Sequence, residues 1–472
     1  MSLNPEFQRN LWLQISVQRL IAAPVVIGLL VALYYLGDMG SGEDLAEGAR
    51  VAFYVLVAVW GTRRAADSVA EEVAGGTWDA QRMSALGAWT MSWGKLLGST
   101  IYVWYCAAIC LVVYLYGLAP GRPAAGLAAD LSAASILVDL AVMVGTGLLG
   151  QAVAMAACLA ILGRGAQGRR LPVTASQLIG LLVVVLVPFG EYVDRVVAAR
   201  MDVTWYGLPA QTPVFAVLSL AAFLAWALIG VYRLMRIELQ FRSYPFVWLL
   251  LVLFLMLYAE GFLYDTLRDP DVPAFAWLLV PAMIAAALTY LVLFLQPKDI
   301  VRYRWLAASA AGGDARRVLA LMPLWLPTFA ITVVLVVAIV AVDMGSTYRL
   351  PGRIENLPEF ADLRQGGWAM ALAALLFMAR DIALVLYLNF NKRRRRADVA
   401  AFIYLVVLYL PLPALAGVLE GDLLLPLFLP TPGASPLMAI LPPLVQAAAM
   451  LALLGGRMAA ARPVMAAAAR PA

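Results

Sequence analysis

The polar residues spaced to act together lie in one stretch, EEVAGGTWDAQRMSALGAWTMSWGKLLGS, from Glu71 to Ser99. Glu71, Glu72, Asp79, Arg82 and Lys95 bring both charge signs into a passage flanked by apolar runs. Most connectors between packed elements need only about 4–6 residues, so this one is long for its task. Gly75-Gly76 and Gly87 interrupt helix, and Thr77 can cap a short segment Trp78–Leu86. Trp78, Trp89 and Trp93 carry amphipathic rings suited to the headgroup level of a bilayer. The chemistry such residues offer is mechanical and electrostatic: a short rigid helix with fixed ends, linked through Gly94-Lys95 to the next apolar run, is a surface on which a soluble partner can push. Its charged side chains are expected to stay solvated or to meet that partner. The plainer alternative is an interfacial loop with no partner.

Covalent and metal chemistry find little support. The chain has no histidine, which excludes histidine metal sites, bis-histidine haem and histidine proton relays. Cys106, Cys110 and Cys158 all fall inside apolar runs and are expected to pack as small apolar groups rather than form disulfides. Gly87 to Lys95 looks at first like a phosphate loop, but six residues separate its glycines where four are needed, and Leu96 follows the lysine in place of Ser or Thr. The chain is therefore not expected to be an enzyme or to hold a cofactor. Arg380 and Asp381 stand near the middle of an apolar run, where each alone costs roughly 3 kcal/mol. Neighbours in a helical sequence do not face each other, so each is expected to find a separate partner, in a buried network or on a substrate. Glu260 and Asp139 lie nearer the ends of their runs and are expected to be solvated. Lys392, Arg393, Arg394, Arg395 and Arg396 follow a span directly and read as a topology anchor holding anionic lipid, at about 1 kcal/mol per charge.

The elements that must position these residues are membrane spans. Over 472 residues the mean hydropathy is +0.86 and only 13% are charged, against about a quarter in soluble domains. Runs of about twenty apolar residues cross a bilayer, and twelve centre on 20–36, 49–65, 97–118, 131–163, 172–189, 212–233, 245–263, 272–296, 318–342, 367–390, 399–417 and 437–457. The second is the weakest, closed by Arg63-Arg64, and the fourth is longer than a bilayer needs. With both termini cytoplasmic, most of the 34 Lys and Arg fall inside, as the positive-inside rule asks. The net charge of +5 is then topology rather than nucleic-acid affinity. Asn4-Pro5-Glu6 reads as a helix start. Phe7, Leu11 and Ile15 recur every four residues with Arg9, Gln14 and Gln18 elsewhere on the wheel, which predicts an amphipathic helix over Asn4–Arg19 in the inner interface. Phe189–Gln211 and the proline-broken Gly417–Pro436 are expected to form outer re-entrant hairpins, since irregular backbone at membrane depth needs protein or a water cavity beside it.

Shifting the chain against itself by 222–223 residues aligns more than hydropathy. Arg19 falls on Arg242, Tyr35 on Tyr258, Arg82 on Arg304, Lys95 on Arg317, Arg169-Arg170 on Lys392-Arg393, and Pro188 on Pro411. The expected fold is thus an all-α polytopic membrane protein of about 12 helices in two parallel six-helix halves, 1–235 and 236–472.

The Glu71–Ser99 passage also resembles the permeases of ABC-2 type exporters. That family carries a Glu, three residues and Gly-Thr, then an acidic-and-leucine turn, then Gly-Lys-Leu-Leu entering the third span. Glu72, Gly76-Thr77, Asp79 and Gly94-Lys95-Leu96-Leu97 stand at fitting distances, without the usual mid-segment proline, near whose place Ala85 stands. The second half keeps the span pattern but offers only Arg304, Arg316 and Arg317 around Ala311-Gly312-Gly313. The resemblance implies a bacterial inner-membrane subunit whose coupling helices meet separate ATP-binding-cassette ATPases. It places coupling at Glu71, Glu72, Gly76, Thr77, Asp79, Arg82, Gly94 and Lys95, with Arg304 and Arg317 in the second half. ATP and Mg would be held by those partners, and an apolar or amphiphilic cargo would move outward. Two rivals are a secondary carrier of six plus six helices and a non-transporting membrane scaffold.

Overall fold

A computed structural model describes residues 4–36, 42–84, 86–119, 132–162, 173–185, 204–210, 213–241, 243–269, 272, 274–343, 367–390, 397–431 and 435–460. Among the described residues ten helices are long and apolar enough to cross a membrane, and eleven if the bent pair at the N-terminus is one span. The chain divides into two compact units, Met1–Val203 with Pro209–Ser243, and Thr204–Leu208 with Tyr244–Ala472.

The first unit opens with α1 (Pro5–Gln14). The Asn4 side chain accepts from the amides of Glu6 (3.0 Å) and Phe7 (3.4 Å), and Pro5 occupies the first turn, where its missing N–H costs nothing. A 63° bend separates α1 from α2 (Val17–Leu36). Next comes one continuous helix, α3 (Gly42–Val55), a π-helical turn Leu56–Gly61, and α4 (Thr62–Ala74). The run read as weakest is therefore a long candidate span, Asp44–Ala74. A five-residue α5 (Trp78–Arg82) leads to α6 (Ala88–Gly117), then α7 (Ala133–Leu162), α8 (Val173–Val185) and α9 (Pro213–Glu238). Among the described residues the fifth expected crossing is the short apolar helix α8, and the first is a bent pair. Those two elements separate ten from twelve.

Small residues let these helices approach closely, the usual basis of packing where lipid removes a hydrophobic drive. A Cβ added at Gly61 would fall 2.3 Å from Gln151 Nε2, and one at Gly147 would fall 2.3 Å from Val57 Cγ1. At Gly150 it would meet Val184 Cγ2 at 2.2 Å, and at Gly180 the Gly150 carbonyl at 2.6 Å. The π turn is thus seated on α7, and α8 crosses α7 backbone to backbone.

The second unit contains α10 (Phe246–Leu267), α11 (Ala276–Leu295), the short α12 (Ile300–Ala311) and α13 (Ala315–Leu321), then α14 (Trp325–Asp343), α15 (Gly367–Asn389), α16 (Ala397–Tyr409), α17 (Pro411–Leu424) and α18 (Pro436–Ala460). Here α15 is the central helix: 56% of its apolar window is buried, against 17% for α18. Its core joins Val385 and Leu386 to Val292, Leu293, Trp325 and Ala401. Asp299 and Asp314 cap α12 and α13 through side-chain oxygens, and Gly313 makes the turn between them at φ +72°. The Tyr303 hydroxyl accepts from Trp325 Nε1 at 2.7 Å. Burial pushes its phenol up to about 12 despite that bond, so it stays a neutral hinge between α12 and α14.

Of the two outer segments expected to re-enter, Phe189–Gln211 lies mostly outside the described residues. Its described part is 204–210, of which Thr204–Leu208 packs on α10, with Trp205 Nε1 donating to the Tyr258 carbonyl at 3.0 Å. In Gly417–Pro436, α17 ends in a 3-10 turn at Leu425–Leu427.

Gly150→Val is expected to lower the melting temperature of the purified protein by several degrees, an overpacking loss of about 1–3 kcal/mol. Gly230→Val on α9, where an added Cβ meets nothing within 4 Å, is expected to leave it unchanged.

Candidate functional site

The Glu71–Ser99 passage is held by one buried cation. Lys95, in the second turn of α6, has a side chain only 1% exposed. Its Nζ donates to Glu72 Oε2 at 2.6 Å and to Glu6 Oε1 at 3.0 Å, and lies 5.5 Å from the Trp78 ring centre. The other Glu72 oxygen accepts from Arg9 Nη2 at 2.8 Å. Arg9 Nη1 donates to both Glu6 oxygens at 3.1 and 3.2 Å. Two carboxylates and two cations balance, which a buried set of charges requires.

Backbone geometry brings these groups together. Glu72 lies in the last turn of α4, which ends in a Schellman-type cap: the Gly76 amide donates to Val73 O and the Thr77 amide to Glu72 O. Gly76 takes φ +69°, a left-handed position that favours glycine. On the other side, α1 lies against α6 at Gly94-Lys95-Leu96-Leu97-Gly98. A Cβ at Gly94 would stand 2.6 Å from Glu6 Cβ, and one at Gly98 2.7 Å from Asn10 Cβ. Asn10 Nδ2 donates to Glu6 O, and Asn4 Nδ2 to Thr90 O at 2.7 Å.

These contacts correct two expectations. Lys95 and Glu72 are not solvated: they are buried and paired with each other, because α1 covers them. The face that α1 turns inward is polar, with Glu6 and Asn10 buried, while Trp12 and Leu13 point out. Thr77 precedes α5 without a side-chain cap; its hydroxyl donates instead to Glu72 O at 3.3 Å, and α5 stops at Arg82. Asp79 remains 83% exposed and pairs locally with Arg82 at 3.3 Å. Glu71 is half-exposed beside Arg64 at 3.7 Å. In the second unit Arg317 is exposed and lies 5.8 Å from the Trp305 ring centre, and Arg304 is half-buried.

A second charge cluster occupies the second unit. Arg380 and Asp381 contact each other directly, Nε to Oδ1 at 2.9 Å, contrary to the expectation from their adjacency. The long arginine folds over Phe377 one turn earlier, 4.6 Å from its ring centre, and so reaches its neighbour. Each also has other partners: Arg380 donates to Gln446 at 2.6 Å and Tyr409 at 3.1 Å, and Asp381 Oδ2 accepts from Tyr290 at 2.8 Å and Tyr409 at 2.5 Å. The network ties α11, α15, α16 and α18 together. Asp139 accepts from Tyr114 at 3.3 Å, and Glu260 is half-buried. Lys392–Arg396 lie outside the described residues. All three cysteines are buried free thiols.

Sequence reasoning missed Glu6 and Arg9 as partners of Lys95. It also missed the Lys298–Asp398 pair at 2.6 Å and the Tyr290, Tyr409 and Gln446 shell. One signal was present: Gly94-x-x-x-Gly98 marks a close helix approach.

No known family, curated protein or solved structure matches this chain.

Lys95→Ala strands two buried carboxylates beside one arginine and is expected to cost about 3–5 kcal/mol. The double variant Glu72→Gln with Lys95→Met should recover part of that loss. Melting temperature reads the stability, and trypsin cleavage after Arg9 reads release of α1. In the second cluster, Asp381→Ala is expected to destabilise by a similar amount, and Arg380→Met with Asp381→Leu by less, again by melting temperature.

Proposed function

We propose that this chain is the membrane subunit of an ABC-2 type exporter, resident in a bacterial inner membrane with both termini cytoplasmic. Separate ATPases bind ATP and Mg and dock on its inner loops. The observation that carries this reading is the convergence of Glu72, Gly94 and Lys95, residues of the family-like pattern, on one buried cluster at the end of two candidate spans, with Gly76 capping α4 beside it. That cluster leaves the Asp79–Arg82 edge of α5 outward, suited to a soluble motor. Displacement of α5 would pass through Trp78 and Lys95 directly into α6, and through Glu72 into α4.

The proposal carries a duplicated architecture of about twelve crossings, with α1 and its outward Trp12 and Leu13 lying in the inner interface. Similar internal pairings support the duplication, since α7 packs along α9 as α15 packs along α18. The second loop has no counterpart of the Glu6–Lys95–Glu72 set among the described residues, which fits unequal coupling. A secondary carrier has less support: Asp381, the buried carboxylate it would use, already accepts from two tyrosines and Arg380.

The test is to purify the chain with co-expressed products of its neighbouring genes. A nucleotide-hydrolysing subunit is expected to accompany it, and Asp79→Lys with Arg82→Glu should abolish that association while leaving the melting temperature unchanged. Purification without such a subunit, or association indifferent to the double reversal, would overturn the proposal.

A further inference from the structure

Tyr206 and Gly207 form the turn of a two-stranded hairpin that begins at Thr204, and both take positive φ, 49° and 75°. Two-residue hairpin turns of this hand favour Asn or Gly, and a bulky side chain persists there only where its surroundings hold it. Those around Tyr206 do. Its amide donates to Gly261 O at 2.9 Å and its hydroxyl to Leu257 O at 2.9 Å. A Cβ at Gly261 would fall 2.2 Å from Trp205 Nε1, so that glycine is what admits the hairpin. The Tyr206 ring is thereby laid along α10, its centre 5.2 Å from that of Tyr264. Tyr264 in turn meets Trp277 of α11 edge to face at 5.9 Å.

Glu260 stands on the same side of α10, three residues after Leu257 and four before Tyr264. It is half-buried, and among the described residues it accepts no hydrogen bond and meets no basic side chain. Arg268, one turn beyond Tyr264, lies 5.3 Å from the Tyr264 ring centre and does not pair with Glu260. Burial, and after it the Glu260 charge, hold the Tyr206 phenol above its ordinary range, so the field of the carboxylate reaches that ring. A partly desolvated carboxylate without a counter-charge is costly, and the faces of aromatic rings are negative. Both favour a cation. The phenol proton of Tyr206 is already given to Leu257, so the corner offers ring faces and one carboxylate. Such a lining suits a methylated ammonium, which needs few hydrogen bonds, over a primary one with three donors to satisfy.

We propose that Glu260, Tyr206 and Tyr264 form a binding site for a quaternary ammonium group, held by the carboxylate and the two ring faces. Its bearer is a free organic cation or a phosphocholine headgroup, which share this chemistry. The site lies wholly in the second unit and needs no ATPase, so it stands or falls separately from the transport proposal.

The probe is choline, titrated into the full-length protein in maltoside micelles and read by saturation transfer to its methyl protons. Saturable transfer is expected, with ethanolamine displacing choline about fivefold less well than choline displaces itself, the scale of an exposed cation–π contact. Glu260→Gln should weaken choline about fivefold, the scale of one partly exposed charge pair, with the melting temperature kept. Tyr206→Gly suits the turn but removes the ring and should weaken choline comparably, whereas Tyr206→Phe should keep it. Displacement by lysophosphatidylcholine at lower concentration than by choline assigns the headgroup as occupant; displacement by choline without lysophosphatidylcholine assigns the free cation. Transfer that does not saturate, or that Glu260→Gln leaves unchanged, would overturn the proposal. So would equal displacement by ethanolamine and choline.

Discussion

An ammonium group withdrawn from water must be met by opposite charge at hydrogen-bond distance, and Lys95 imposes that demand on the first unit. An unmatched charge at such a site costs several kcal/mol, so α6 requires carboxylates on two sides. One comes from Glu72 at the end of α4 and one from Glu6 on α1. Arg9 then balances the second negative charge. The glycines at 94 and 98 follow from the same demand, because any side chain there would hold α1 off and open the cluster to solvent. So does the left-handed turn at Gly76, which stops α4 just past Glu72.

The second unit meets its buried charges differently. Arg380 and Asp381 sit at the heart of a helix bundle and saturate one another with help from two tyrosines and a glutamine. Lys298 reaches Asp398 at the start of α16, and Asn389 donates to the same oxygen. The connection between α11 and α14 is built from two capped helices, with Arg317 lying over Trp305 at the surface.

Hydropathy made nearly all of the helices legible, because period and length are properties of single segments. Asn4 and Pro5 announced α1 for the same local reason. The partners of Lys95 were not legible: Glu6 stands 89 positions away and reads as an ordinary first-turn acid. The Gly94–Gly98 spacing indicated a close neighbour without saying which helix it would be. Adjacency misled at Arg380–Asp381, where the statistical rule for helical pairs yields to a side chain long enough to double back. The apolar stripe of α1, Phe7, Leu11 and Ile15, was visible and is half-buried, but periodicity did not show that Glu6 and Asn10 beside it would be buried on α6.

The wide turn at Leu56–Gly61 carries a bond pattern one residue looser than the helix on either side. A turn that holds one residue more than its neighbours absorbs that residue without rotating the helix on either side. Deleting it would leave Glu72 facing the ammonium, whereas deleting one residue from the regular helix between Thr62 and Glu72 would turn that carboxylate away by about 100°. The wide turn thus works like an expansion joint, taking up a surplus length while the rail on each side keeps its line.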